Sequence, residues 1–277
     1  MIDVRATARA LSYAVRTVKQ QPYAAPGHFY SPLSTPADAE RAVGWLQLDP
    51  AGVDLRAEQQ LALYAELLPA VTGYQPDRYK PGNDQYGHLD AAVLHAMLTL
   101  NQPKRVVEVG SGHSTAVMLD TLDQHPMEIT CVEPYPDRLL AQLRPGDKER
   151  IDLIQKPVQD IPDLASLQSG DVLFIDSTHV LKPGSDVVWL YLHVLPRLQP
   201  GVLVHIHDIF WPFEYPEQWL RERRDWTELY LLHAMLLEPT GWRIELFGSW
   251  LWQTHRDLVP ERLLEPGPSH IWLRKVA

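Results

Sequence analysis

The chain has 277 residues and a formal net charge of −10, and 45% of its residues are hydrophobic. This length allows one large globular domain, with or without an appended segment. The acidic balance makes nucleic acid an unfavourable partner. The single cysteine, Cys131, excludes an internal disulfide and a zinc site built from several cysteines. No apolar run reaches the roughly 18 residues of a membrane-spanning helix, so we expect a soluble, cytoplasmic protein that does not enter membranes.

The N-terminal part of the chain has the spacing of helices. Met1–Gln20 interleaves basic and apolar residues without the uninterrupted apolar stretch of a signal peptide, so an ordinary helix is favoured over a transit peptide. Arg56–Leu68 and Leu89–Leu100 carry apolar residues three and four positions apart, which predicts two more helices. The intervening segments 21–36 and 74–87 are rich in Pro, Gly and Tyr and indicate ordered loops.

From Pro103 onward the pattern changes to short apolar runs separated by helical stretches, which is typical of parallel strands covered on both faces. We therefore expect an α/β fold with a doubly wound sheet, in which residues 1–85 form a helical cap and 86–277 the main domain. Glu217–Leu237 predicts one long helix, and Trp242–Phe247 and His270–Lys275 predict two closing strands. The apolar runs are Arg105–Val109, Ile129–Val132, Ile151–Ile154, Val172–Ile175 and Val202–Ile206.

A glycine turn follows the first of these strands, within Val106–Thr115. Gly110 and Gly112, which flank Ser111, allow the backbone to take positive φ and to approach a ligand closely. Ser114 or Thr115 can cap the helix that follows. Because free N–H groups at such a turn bind carboxylates or phosphates, this segment predicts a cofactor site.

Two acids beside this turn bear on the identity of the ligand. The dinucleotide fingerprint requires a third glycine at the position of Thr115. Glu108, two residues before the first glycine, would repel a diphosphate but can hold the ammonium of a methionine moiety. Glu133, at the end of the second strand, is placed to accept both hydroxyls of a ribose. The alternative is that both acids are solvated strand ends.

Glu108–Gly112, Glu133 and the later Asp176 together resemble successive motifs of class I S-adenosylmethionine-dependent methyltransferases, over about residues 85 to 275. The resemblance implies S-adenosylmethionine as cofactor and a Rossmann-like, seven-stranded sheet of order 3-2-1-4-5-7-6 with the last strand antiparallel. It also implies that Val158 and Gln159, after the third strand, flank the adenine.

Two further clusters follow the fourth and fifth strands, at Asp176–His179 and His205–Asp208. Ligands bind at the carboxyl ends of strands in a doubly wound sheet, so these clusters should face one another. Asp176, His207 and Asp208 could supply three ligands to a divalent ion and leave positions open for substrate. Carboxylates favour magnesium or calcium, and the imidazole leaves manganese, iron or zinc as alternatives.

His179 has the reach and titration range to remove the proton of a metal-bound hydroxyl, whereas we interpret His205 as structural. The arrangement resembles metal-dependent O-methyltransferases that act on macrolide sugars, in which Asp-x-x-His gives a ligand and a base. Asp176, His179 and Asp208 match that pattern, and His207 replaces an acid. The resemblance implies methylation of a hydroxyl on a small polar or sugar-containing acceptor.

Two other classes of function remain open. A metallohydrolase would share part of the run His205–Asp208, but it gives no reason for Glu108 and the glycine turn. A non-catalytic protein that binds S-adenosylmethionine or a nucleotide would not need an Asp-x-x-His beside its cofactor. Self-association into a homo-oligomer is left open.

Overall fold

The computed structural model describes residues 23–162, 164–237 and 241–276, so the helix expected over Met1–Gln20 lies outside the described residues. Within them, seven strands form one sheet. The strands are β1 (Arg105–Val109), β2 (Glu128–Val132), β3 (Asp152–Ile154), β4 (Val172–Ile175), β5 (Leu203–His207), β6 (Trp242–Phe247) and β7 (His270–Lys275).

The sheet order is β3-β2-β1-β4-β5-β7-β6. Strands β1 to β5 are parallel to one another, and β7 is antiparallel to both β5 and β6. Every residue of β4 and β5 is buried, which explains why these strands are apolar almost throughout rather than alternating. The expected fold class, strand order and antiparallel last strand are confirmed.

Helices cover the sheet and connect its strands. The predicted helices at Arg56–Leu68 and Leu89–Leu100 are both present, the first running on past Pro69 to Gly73. The helices are α1 (Pro36–Trp45), α2 (Ala57–Gly73), α3 (His88–Asn101), α4 (His113–Leu122), α5 (Asp137–Leu140), α6 (Asp186–Trp189), α7 (Glu217–Glu222), α8 (Glu228–Leu236) and α9 (Gly248–Thr254).

Shorter turns complete the connections. A single π-helical turn, Leu190–Val194, continues α6, and 3-10 turns lie at Lys148–Arg150, Val158–Asp160, Leu164–Ser166, Leu195–Arg197, Arg256–Leu258 and Glu261–Leu263.

The long helix predicted over Glu217–Leu237 is wrong. The chain instead forms α7 and α8, separated by residues 223–227. Arg223 and Asp225 have φ angles of 52° and 55°, in the left-handed region, which is incompatible with continuing an α-helix. Their side chains carry no helix-breaking signal, so the apolar spacing alone could not show the interruption.

The described chain divides into two units. One contains residues 23–47 and 216–225, where α1 begins with a capping box between Thr35 and Asp38 and pairs with α7 through Glu40 and Arg221. The other contains residues 48–215 and 226–276 and holds the whole sheet. No helix in the described ranges is both long and apolar enough to cross a membrane. The cap boundary at residue 85 stays a prediction.

Candidate active site

A cavity of about 800 Å³ opens at the carboxyl ends of the parallel strands. Its wall is made by the segments that follow β1, β2, β3 and β4, together with Asp208 after β5 and with Gln85 and Tyr86 before α3. The cavity therefore lies where the strand order reverses between β1 and β4, which is where ligands bind in open α/β sheets. Its volume falls within the roughly 300 to 1,000 Å³ of small-molecule sites. Of the predicted site residues, Gly110, Ser111, Gly112, Ser114, Glu133, Val158, Gln159, Asp176, His179 and Asp208 line it.

The glycine turn after β1 is held against the end of β4. Gly110 has a φ of 83°, and a Cβ built on it would lie 1.8 Å from the carbonyl oxygen of Asp176. Gly110 therefore permits both the left-handed conformation and the close approach of two loops. Gly112 is extended, with a φ of 175°, so the expectation of positive φ at this position is wrong. A Cβ there would instead meet the Arg138 side chain at 3.1 Å.

Glu108 lies beneath this turn and does not line the cavity. Its carboxylate, 0% exposed, accepts hydrogen bonds from the hydroxyls of Ser114 and Thr115, both at 2.6 Å. The Thr115 hydroxyl in turn accepts from the N–H of Gly112 at 3.1 Å. Glu108 is thus placed to brace the turn against the start of α4, a role that the sequence did not suggest.

Glu133 and the segment after β3 form a further part of the cavity wall. The Glu133 carboxylate accepts hydrogen bonds from the N–H groups of Ser111, at 3.2 Å, and Tyr135, at 2.8 Å. Val158 and Gln159 lie in a 3-10 turn, and the Gln159 amide donates to the carbonyl of Gly184. These contacts join the loops after β1 and β2 to each other, and the loops after β3 and β4 to each other, around the cavity.

Asp176, His179 and Asp208 come together in the wall of the cavity, with one candidate ligand atom from each within 4.8 Å of the others. The Nε2 atom of His179 is 3.4 Å from Oδ1 of Asp176 and 3.6 Å from Oδ2 of Asp208. Both His179 and Asp208 have left-handed φ angles, 59° and 54°. Such strain in residues other than glycine is typical of functional sites.

The charges in this cluster shift one another's pKa values. Burial opposes ionisation of Asp176, but His207 and His179 outweigh it and lower the pKa of this carboxyl. Burial raises the pKa of Asp208, although the rings of His207 and His179 act to lower it. For His179, burial opposes the charged form, yet its hydrogen bonds to Asp176 and Glu228 hold the pKa of the ring well above its usual value.

His207 lies behind the cavity wall and is not one of the three clustered groups. Its Nε2 atom is 3.8 Å from Oδ1 of Asp208 and 3.4 Å from the hydroxyl of Ser269, which donates to the same Asp208 oxygen at 3.1 Å. Burial opposes its protonation, but Asp176 and Asp208 raise the pKa of the ring. His205 is fully buried with its ring stacked on Phe174, in keeping with a structural role.

Three consecutive residues that the sequence did not single out contact His179. Glu228 Oε2 is 2.8 Å from its Nδ1 atom, the N–H groups of Thr227 and Glu228 donate to its carbonyl oxygen, and the Trp226 ring centroid is 4.4 Å from that of the imidazole. These residues lie 47 to 49 positions beyond His179 in an interrupted helical pattern. No sequence signal marks them as partners of His179.

The cavity has the chemistry to bind a polar nucleoside and a cation. Among the described residues, the buried hydroxyls of Tyr86 and Ser177 in its wall have no hydrogen-bond partner. Buried polar groups are normally paired, so these hydroxyls are free to meet a ligand. The two carboxylates and one imidazole are a donor set that divalent ions accept.

Comparison with known proteins gives two matches in sequence. The family model described as a methyltransferase domain matches residues 107–209, from β1 to just beyond β5. An uncharacterised protein of Archaeoglobus fulgidus is 30% identical over 156 residues, which is 49% of this chain and 69% of the archaeal protein.

The chain is also similar to solved structures. One is a methyltransferase of Podospora anserina with bound SAH, 15% identical, covering 92% of this chain and 99% of that one with a TM-score of 0.47. Another is the precorrin-6y C5,15-methyltransferase of Geobacter metallireducens, 16% identical, covering 75% of this chain and 98% of that one with a TM-score of 0.46.

Proposed function

The chain belongs to the class I S-adenosylmethionine-dependent methyltransferases, and we propose that it methylates a hydroxyl group of a small polar or sugar-containing acceptor with the help of a divalent metal ion. One observation carries this proposal. The cluster of Asp176, His179 and Asp208 lies in the same cavity as the Gly110 turn, so an acceptor and a cofactor would meet there.

The cofactor would be held by the part of the cavity that the segments after β1, β2 and β3 line. S-adenosylmethionine, when bound, supplies a methyl group on a positively charged sulfur. We assign its methionine end to the turn formed by Gly110, Ser111 and Gly112 with Ser114, because free N–H groups there can bind the carboxylate. Glu133 would accept the ribose hydroxyls. Val158 and Gln159 would border the adenine, and Glu108 would support the turn from beneath.

The metal would be held by Asp176 and Asp208. His207, whose Nε2 atom is 3.8 Å from Oδ1 of Asp208, would be the third ligand. We propose magnesium, which carboxylates favour, with manganese, iron and zinc as alternatives. A bound ion would lower the pKa of an acceptor hydroxyl next to it.

His179 would act as the base. Its Nε2 atom points between the two aspartates, within 3.4 and 3.6 Å of their oxygens, and so toward the place of a metal-bound hydroxyl. It would take the hydroxyl proton and leave the oxygen's electron pair free to bond to carbon. Without a metal, burial acts to lower the pKa of the ring, but its hydrogen bonds to Asp176 and Glu228 raise this pKa well above its usual value. A divalent ion on the same aspartates would oppose the positive charge of the ring and favour the neutral ring that a base requires.

Calorimetry with S-adenosylmethionine and with Mn²⁺ tests the proposal, combined with transfer of labelled methyl to a panel of phenols, catechols and sugars with and without chelator. We expect Asp208→Asn and His207→Ala to retain the affinity for S-adenosylmethionine while Mn²⁺ binding and metal-dependent transfer are lost. Asp137→Asn, an acid in the same cavity wall, should keep its Mn²⁺ affinity. If Mn²⁺ binding and transfer both survive in Asp208→Asn, the cluster is structural. Label found only on nitrogen or carbon acceptors would refute O-methylation.

A further inference from the structure

The imidazole of His179 faces a carboxylate on each side, but the two sides differ. The contact at Nδ1 is short, 2.8 Å to Glu228 Oε2, whereas the contacts at Nε2 are 3.4 and 3.6 Å. Glu228 is 0% exposed and His179 4% exposed, so water does not compete for the short contact. The Nδ1 side is therefore the side that fixes the ring.

An ionised carboxylate accepts hydrogen bonds and cannot donate them. The nitrogen that faces Glu228 must then carry a hydrogen in either the charged or the neutral ring. In the neutral ring only one nitrogen is protonated, so the unprotonated nitrogen is Nε2. That atom faces Asp176 and Asp208.

The backbone holds Glu228 in place for this contact. Glu228 is the first residue of α8, and its N–H and that of Thr227 donate to the carbonyl oxygen of His179 at 3.1 and 2.9 Å. The Thr227 hydroxyl accepts the N–H of Leu181 at 2.7 Å. These bonds hold His179 in its left-handed conformation, with a φ of 59°. The start of α8 and the segment after β4 are thus fastened together around one imidazole.

We propose that Glu228 is the positioning residue of His179. It keeps hydrogen on Nδ1 in the charged and the neutral ring alike, so that Nε2, which faces the aspartate pair, is the nitrogen that is bare when the ring is neutral. The catalytic part of this statement rests on the proposed function, in which Nε2 receives the acceptor's proton. The structural part does not, because it concerns the ring of the protein without cofactor, metal or acceptor. Mutating a carboxylate that orients a histidine in this way typically lowers activity roughly 10- to 100-fold.

Proton NMR of the protein without ligands tests the structural part. A buried Nδ1–H bonded to a carboxylate gives a downfield ring-proton resonance that exchanges slowly with water, and loss of the signal in His179→Gln assigns it. We expect the resonance in the wild type, a weaker and upfield-shifted one in Glu228→Gln, and none in Glu228→Ala. Thr227→Val, which removes the bond to Leu181 but keeps the carboxylate, should retain it.

Steady-state kinetics with an acceptor found in the methyl-transfer screen test the catalytic part. Glu228→Gln should lower kcat roughly 10- to 100-fold with KM unchanged. Glu214→Gln, which alters another buried carboxylate of the same unit, should keep the wild-type kcat. A resonance that is missing from the wild type or unchanged in Glu228→Ala overturns the proposal, as does a wild-type kcat in Glu228→Gln. Failure of the proposed function would look different, since the resonance would be present in a protein that transfers no methyl group.

Discussion

Glu108 is buried between the glycine turn after β1 and the start of α4. Its carboxylate is 0% exposed and is surrounded by the hydroxyls of Ser114 and Thr115 and the thiol of Cys131. Burial raises the pKa of this carboxyl to about 7, although the two hydroxyls act in the opposite direction. A group of this kind makes the stability of the fold depend on pH.

The direction of that dependence follows from proton binding. With a pKa of about 7 in the folded chain and 4.5 in the unfolded one, Glu108 binds more protons when folded between these values. Its contribution is fully present below about pH 4.5 and is lost as the pH rises to about 7. The difference amounts to about 3 kcal/mol.

Urea unfolding of wild type and Glu108→Gln over this pH range measures the effect. We expect the free energy of unfolding of the wild type, relative to the variant, to fall by about 3 kcal/mol as the pH rises. Glu128→Gln, at an exposed position on β2, should follow the wild type. Parallel curves for wild type and Glu108→Gln would contradict the shifted pKa.

Some site residues could be predicted one by one, and others could not. Asp176 and Asp208 follow apolar runs, so the rule that ligands bind at strand ends was enough to bring them together. His179 could be predicted from its spacing to Asp176. Glu228 could not, because it reaches His179 from another element 49 positions away. A carboxylate on a helix is ordinarily read as a solvated residue.

At the level of elements, the turn after β1 depends on the absence of a side chain at Gly110. The Asp176 N–H donates to the Val109 carbonyl at 2.9 Å, which continues the β1–β4 ladder up to the turn. The turn and the segment after β4 are consequently packed backbone against backbone. A side chain at Gly110 would separate the proposed cofactor and metal sites.

Gly110→Ala tests this dependence, because its Cβ would overlap the Asp176 carbonyl. We expect the affinity for S-adenosylmethionine to fall more than about tenfold, the equivalent of at least 1.4 kcal/mol. Gly146→Ala is the matched control, since Gly146 has a φ of 88° and no atom near its Cβ position. Both variants should lose roughly 1 to 2 kcal/mol of stability from the left-handed conformation. Calorimetry and urea unfolding separate the two effects, and equal affinities in the two variants would show that the close approach is unimportant.

Most helices and strands could be predicted from the sequence where the hydrophobic pattern alone determines the type of element. Buried parallel strands such as β4 need apolar residues on both faces, and this leaves runs that are visible in the sequence. The break between α7 and α8 was not visible, because left-handed Arg223 and Asp225 are held by their surroundings rather than by their own preferences. Local propensity yields to tertiary context at such positions.

At the scale of the whole molecule, distant parts of the chain meet beneath the candidate site. Asp90, in the first turn of α3, accepts hydrogen bonds from His270 Nδ1 at 2.6 Å and from the N–H of Ser269 at 3.0 Å, both at the start of β7. Asp90 and His270 are 180 positions apart and both buried. Nothing in a single sequence identifies such a pair, since spacing carries information only within an element or between successive elements.

This contact connects stability with the metal site. Ser269, held by Asp90 through its N–H, also donates its hydroxyl to Asp208 at 3.1 Å. Asp90→Ala leaves the Ser269 N–H and the His270 ring without their partner, and each buried polar group left unpaired costs about 1 to 3 kcal/mol. It should also lower Mn²⁺ affinity about tenfold, because the groups that orient a ligand affect binding on that scale.

Asp171→Ala is the matched control for this last prediction. Asp171 is also buried and accepts two backbone N–H groups, those of Arg105 and Gln168, but it precedes β4 and so lies at the opposite end of the sheet from the site. It should lose stability without losing Mn²⁺ affinity. Ser269→Ala removes the hydroxyl that bonds to Asp208 and contacts His207 Nε2, so it should lose Mn²⁺ affinity with little loss of stability. It covers the case in which Asp90→Ala does not fold. Unchanged Mn²⁺ affinity in Ser269→Ala would show that the start of β7 does not orient Asp208.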